Sequence, residues 1–316
     1  MQGGIRLIDD ILMKTRLWTA VTLSVAAALS LHAANNGETK KERTFQALVV
    51  AERVTRDSAS TIGKSDAGFL VYDGGYIEGG DAIGGDRVPT AAAVAAGIES
   101  ALQTRQIGVD NARDAASPSV VLTYHWGVLR KRHWHDVSLS HLNSNLKARL
   151  SLVARYNTVR ELEQYILADR AMHGSSRAVL EQPTYQDARQ YAEDPRYFVV
   201  VTAYDFNALK SQHATPLWRV KMSALENVGY MAEAVPALAA ASGAYFGQDL
   251  DRVEATRVPA HFTPSSTAST PPSFALTSDE THGLDQKYMG QLLQRERTEF
   301  TGDEQVEWDE THWGQK

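Results

Sequence analysis

Runs of β-branched and aromatic residues alternate along this chain with stretches whose apolar positions recur every three or four residues. The first pattern predicts strands and the second helices. Ala47–Ala51 is a short apolar run of strand type, Gly68–Tyr72 is a stronger one, and Val120–Trp126 is a third. Tyr197–Phe206 is the clearest strand, apolar on both faces at its centre as a strand inside a sheet must be. Leu217–Met222 is expected to be its hairpin partner. Among the helices, Pro89 opens one in which Val94, Ile98 and Leu102 form a narrow apolar stripe flanked by alanines. A long helix is expected from Leu146 to about Leu167, with Leu146, Leu150, Val153, Leu162 and Ile166 on one side. A further helical piece lies between Ser176 and Ala192, broken by Pro183. An alanine-rich helix from Met231 to Tyr245 closes the series, with Pro236 near its first turn or kinking it. The expected fold is α+β, a small mixed sheet of about five strands covered by helices.

From about Val258 the composition changes. Thr263–Pro272 is a Ser/Thr/Pro stretch with too little apolar surface to fold. The expected organisation is therefore a flexible lead-in at 35–43, a single α+β domain at 44–250, and an acidic, largely disordered tail at 251–316 with a short helix at 285–298. Charge follows the same division. Residues 251–316 hold 12 acidic and 6 basic residues, so their net of −6 equals that of the whole chain and leaves the body neutral. A neutral body offers no basic face for phosphates and argues against nucleic-acid binding. Asp-Glu-Thr-His occurs twice in the tail, at 279–282 and 309–312. The simplest account of that echo is chance in a biased segment, and the sharper one is a short linear motif for a partner.

The N-terminal region changes the functional picture more than any motif. Lys14 and Arg16 precede an uncharged, largely apolar run from Leu17 to Leu31, and Ala33 and Ala34 follow it. This is the layout of a secretory signal peptide cleaved before Asn35. The run is shorter than the roughly 20 residues that a membrane span needs, so the mature chain is expected to carry no transmembrane segment; the alternative is a retained anchoring helix. Asp9 and Asp10 place negative charge where a signal should be positive, so Met13 is the expected start. The chain has no cysteine, which excludes thiol catalysis, disulfides and cysteine-ligated zinc.

Several catalytic signatures fail on inspection. Gly63-Lys64-Ser65 ends like a phosphate-binding loop, but Ser58 stands where its first glycine should be. Ser144-Asn145-Leu146-Lys147 matches the Ser-x-x-Lys of penicillin-recognising enzymes without the companion Lys-Thr-Gly and Ser-Asp-Asn motifs. There is no Gly-x-Ser-x-Gly elbow and no His-Glu-x-x-His zinc helix. The segment Asp73–Asp86 contains three Gly-Gly pairs and four carboxylates, hard donors of the kind calcium takes. Its spacing fits no known calcium loop, and the plainer reading is a long turn that needs positive φ. His133-Trp134-His135-Asp136 puts two imidazoles on one side of a strand, where zinc or copper could use them. A solvated hairpin has the same composition.

Three strands end alike, in Tyr72-Asp73, Tyr124-His125 and Tyr204-Asp205. Helices lie in the connections between them, as expected of crossovers between parallel strands, which would bring all three pairs to one carboxyl-terminal sheet edge. Asp73, His125 and Asp205 would then converge as a ligand site beside the glycine-rich segment, with Tyr72, Tyr124 and Tyr204 around them. Two carboxylates flanking an imidazole suit a divalent metal, with His133 and His135 as further ligands, or a base and its orienting partner; no cofactor is strongly implied.

The function expected is that of an exported protein, periplasmic or extracellular, that is not an enzyme and binds a protein or a cell-wall polysaccharide, or serves a structural role. The alternative is a metal-binding protein or metal-dependent hydrolase built on the Asp/His edge. A third reading, a sugar-binding module, uses Tyr72, Tyr76, Trp126 and Trp134 as stacking faces.

Overall fold

The computed structural model describes residues 43–55, 68–81, 86–104, 118–130, 144–162, 164, 186, 190–262 and 283–301. The expected signal segment and lead-in (1–42), the histidine cluster 133–141 and both copies of Asp-Glu-Thr-His lie outside the described residues.

Six strands form one mixed sheet: β1 (Thr44–Arg53), β2 (Gly68–Gly79), β3 (Pro118–Leu129), β4 (Arg196–Asp205), β5 (Pro216–Leu225) and β6 (Glu254–Pro259). Their spatial order is β2-β3-β4-β5-β1-β6. Only β2 and β3 run parallel; every other neighbouring pair is antiparallel. All five runs read as strands are strands, and Leu217–Met222 does pair antiparallel with Tyr197–Phe206. The sixth strand begins inside what reads as tail. Its residues alternate weakly and are mostly exposed, yet Phe45↔Val258 pairing buries Val258 fully against β1. The domain therefore does not end at residue 250.

Strand alternation gives the sheet two unlike faces. The first is apolar: Val49, Val120, Leu122, Trp126, Val199, Val201, Trp218, Val220 and Met222 share one core cluster. Helices α1 (Ala91–Thr104) and α4 (Met231–Ser242) cover it with Val94, Ile98 and Leu102 and with Val235, Leu238 and Ala239. Their close approach depends on Gly97, where a Cβ would lie 2.6 Å from the Pro236 carbonyl oxygen and 2.8 Å from the Ala239 Cβ. Pro236 itself is buried inside α4, beyond its first turn.

The second face is covered by α2 (Ser144–Val153) and by the C-terminal helix α5 (Gln286–Thr301). A short helix, α3 (Phe206–Lys210), follows β4. Helix α5 lies where a short isolated helix is expected, but Met289, Leu292 and Phe300 are buried in the domain. The single long helix expected from Leu146 is broken at Ala154 and Arg155, with helix resuming at 156–162. The cause is polar: the Ala154 carbonyl accepts from Lys221 Nζ (2.7 Å), and the Tyr156 N–H donates to Glu52 Oε2 (2.9 Å). Both groups are thereby taken out of the helical ladder to satisfy the buried Lys221–Glu52 ion pair, which is 3.0 Å long. Among the described residues, no helix is long and apolar enough to cross a membrane.

The α1–α4 contact generates a prediction. Gly97→Val must push two helix backbones apart, and overpacking of this kind costs roughly 1–3 kcal/mol. A lowered denaturant midpoint with an unchanged slope is the expected result.

Candidate functional site

The polar residues of the second face sit at alternating positions of four neighbouring strands. They are Thr123 and His125 on β3, Thr202 and Tyr204 on β4, Arg219, Lys221 and Ser223 on β5, and Glu52 on β1. Each alternates with a residue of the apolar face, so the same pleat that builds the core lines these groups up opposite it. Sheet order then sets β3, β4 and β5 side by side beneath α5.

Helix α5 brings two carboxylates down onto this row. Glu296, only 3 % exposed, lies on the same stripe as Met289, Leu292 and Phe300. Its Oε1 accepts from the Thr123 hydroxyl (2.9 Å) and the Tyr204 hydroxyl (2.8 Å), and its Oε2 lies 3.2 Å from His125 Nε2. An acceptor at that distance assigns the imidazole proton to Nε2. One turn on, Glu299 takes both its oxygens to Arg219 Nη1, at 3.0 and 2.8 Å, while Arg219 Nε donates to Thr202 (3.2 Å). Burial works to raise the Glu296 carboxyl, but the hydrogen bond and charge of His125, the Arg219 guanidinium and the Tyr204 hydroxyl outweigh it and hold it below its ordinary value. Burial and the neighbouring Glu296 charge push the Tyr204 phenol well up, so it stays a donor.

The imidazole is closed off on its other side. A Cβ added at Gly74 would lie 2.1 Å from His125 Cε1 and 2.4 Å from Nδ1, so the backbone of β2 is packed directly against the ring. Nδ1 has no hydrogen-bond partner, and His125 is 1 % exposed. Gly74 is skipped in the pairing with β3, between Asp73↔Tyr124 and Gly75↔His125. This bulge is what makes space for the ring. The His125–Glu296 pair has the residue types of a base and its orienting carboxylate. Its geometry holds a carboxylate and leaves no opening for a substrate.

The expected convergence of Asp73, His125 and Asp205 does not form. It required three parallel strands, and β4 runs antiparallel to β3, so Asp205 pairs with Val120 while His125 pairs with Val200. Asp205 instead caps α3, its Oδ1 accepting from the Ala208 N–H at 2.7 Å. Asp73 is next to His125 in the sheet but faces the other way: it hydrogen-bonds Tyr124, which belongs to the apolar-face cluster, and the Gly75 N–H. Tyr72 and Tyr204 are buried together on the second face, and Tyr124 on the first. His133 and His135 lie outside the described residues. Among those described, no three His, Asp or Glu side chains come together as a metal ion would require.

The glycine-rich segment also differs from a long turn. Residues 73–79 belong to β2, with Gly75 and Gly80 at φ +88° and +89° as their lack of Cβ permits. Two of its four carboxylates are engaged elsewhere: Glu78 and Asp86, with Glu226, surround the buried Arg130 guanidinium at 3.0, 2.5 and 2.6 Å. Asp86 also accepts from the Tyr197 hydroxyl (2.9 Å). A calcium ion would have to displace an arginine already held by three carboxylates. For the sugar-platform reading, Trp126 is buried against Tyr76 at 5.2 Å between ring centroids, and so is core rather than a stacking face.

Sequence reasoning passed over Glu296, Thr123, Thr202, Arg219, Lys221 and Glu52. A signal did exist in Arg219-Val-Lys221-Met-Ser223, polar at every second position, and in the glutamate within the apolar stripe of 286–301. Period-2 polarity normally marks a solvated face, and nothing local shows that this one is covered. Comparison with models of known families, with curated proteins and with solved structures finds no match to this chain.

Removing the two kinds of carboxylate should have unequal effects. Glu296→Ala strands three buried donors and should cost roughly 3–5 kcal/mol, whereas Asp205→Ala, losing one cap, should cost about 1 kcal/mol; chemical denaturation of both variants measures the difference. The pH dependence follows from the sign of the Glu296 shift. A carboxyl held below its ordinary value of 4.5 stabilises the fold fully above that value and loses this contribution as pH falls through the lower, folded value. Glu296→Gln should therefore flatten the acid limb of the stability curve.

Proposed function

We propose that this chain is an exported, non-catalytic protein that acts by binding or structure in the cell envelope or outside the cell. The observation that carries the non-catalytic half is the use made of the most chemistry-like of the described residues. Asp73, His125, Asp205, Glu296, Arg219 and Arg130 are each bonded within the fold, to Tyr124, Glu296, Ala208, Thr123 and Tyr204, Glu299, and three carboxylates respectively. A general base or nucleophile has to face substrate. These groups are turned to partners within the fold, and several are buried. What remains for function is recognition. The export half is supported by the positive, apolar and small-residue succession of 13–34 and by the absence of cysteine, which lets the fold be indifferent to redox compartment. The partner class in keeping with this location is a protein or a cell-wall polysaccharide.

Two measurements test the two halves. Expressed with its own N-terminus, the chain should be recovered outside the cytoplasm, with mass spectrometry giving Asn35 as its first residue; an intact N-terminus in the cytoplasm would overturn export. The melting curve of that mature protein should be the same before and after EDTA. A melting point that falls with EDTA and is restored by one added metal would overturn the non-catalytic reading in favour of a metal-dependent one.

A further inference from the structure

The two faces of the sheet are covered by different means. Helices α1 and α4 meet an apolar surface, and no residue of α5 belongs to that main core. Helix α5 contributes Phe300 to one smaller cluster, and Met289 and Leu292 to another, and between these it covers hydroxyl, imidazole and guanidinium groups. Release of α5 would uncover the two smaller apolar clusters together with Thr123, His125, Thr202, Tyr204 and Arg219, which exchange protein hydrogen bonds for water, whereas release of α1 or α4 would lay open the main core. Opening by release of α5 is therefore the way for this fold to expose a sheet face that leaves its main core intact.

Once exposed, that face is a receptor of defined chemistry. Two hydroxyls and an imidazole N–H converge on the position of one carboxylate, and an arginine grips a second carboxylate three residues further along the helix. We propose that it is an exchangeable binding site for an acidic amphipathic helix, occupied in cis by α5. In the working complex, a helix from a partner protein takes the place of α5, presenting two glutamates at i and i+3 beside apolar residues spaced like Met289, Leu292 and Phe300. The chain's own helix then sets the threshold: an incoming helix binds with an apparent affinity reduced by the fraction of time α5 is undocked. This rests on the reading of the chain as a binding protein and names the partner's chemistry.

The test uses the full chain and a fluorescent peptide of residues 283–301, followed by anisotropy. In a Glu296→Gln/Glu299→Gln protein the resident helix competes less, so the native peptide should bind it about tenfold or more tighter than it binds wild type. A peptide carrying the same two glutamines should lose that binding. No binding of the native peptide to a folded double variant would overturn the proposal, and so would equal binding of both peptides. If the double variant does not fold, hydrogen exchange on wild type decides: amides of 286–301 exchanging well before those of β3 and β4 support an exchangeable helix, and exchange only with global unfolding overturns it. Failure here would return α5 to the fixed core and leave the non-catalytic reading intact, since that reading stands or falls on the metal-restored melt.

Discussion

The fold depends on how a buried carboxylate is kept charged. Once the pleat has aimed Thr123, His125, Tyr204 and Arg219 at the same face, covering that face with an apolar helix would leave four or more polar groups without partners, each costing on the order of 1–3 kcal/mol. Glu296 and Glu299 resolve this from above, and the break between α2 and residues 156–162 resolves it at the β1 end, where Glu52 and Lys221 need a backbone donor and acceptor. The position of α5, the break in the helix at Ala154, and the bulge at Gly74 all serve this one layer.

That layer explains which features of the fold were legible in the sequence. The strands were, because β-branched and aromatic runs such as Tyr197–Phe206 carry their own local signature. So was the hairpin of β4 and β5, whose connection is short. The direction of β4 was not. A helix between two strands is common to parallel crossovers and to longer antiparallel returns, and the residues of β3 and β4 are equally apolar in either arrangement. Only the pairing of Val120 with Asp205 distinguishes them, and it lies 85 residues apart in sequence. Reading β4 as parallel moved Asp205 from one end of β3 to the other; the pleat separately turns Asp73, paired with Tyr124, to the face opposite His125.

The candidate site was illegible for a related reason. His125 and Glu296 are separated by 171 residues, and each looks ordinary where it stands: a histidine near a strand end, and a glutamate on a short helix in an acidic, Ser/Thr/Pro-flanked region. Composition sets Thr263–Pro272 apart from the body, but it says nothing about segments on either side. Strand β6 is too polar to announce itself, and helix α5, although expected at 285–298, carries no local sign that it docks; each becomes part of the domain only by what it meets, Val258 at β1 and Glu296 at β3 and β4. Single-sequence periodicity reports which side of an element is apolar. It is silent when the buried side is polar by design of the partner surface.

The asymmetry between the faces also separates what stabilises the molecule from what it can offer a partner. The α1–α4 face is sealed by close backbone contact at Gly97 and by aliphatic packing, an arrangement with no half-open state of low energy. On the opposite face the covering helix is the last described element of the chain, joined to β6 by residues 260–285, and it is held by Met289, Leu292 and Phe300 in two smaller clusters and by charge-assisted hydrogen bonds that water can replace. Among the described residues, Asp73, His125, Asp205, Glu296, Arg219 and Arg130 are bonded within the fold, so under the binding reading proposed above recognition would use the outer surface or an opening of this kind. Of the two faces, only the polar one can open without giving up the main hydrophobic core.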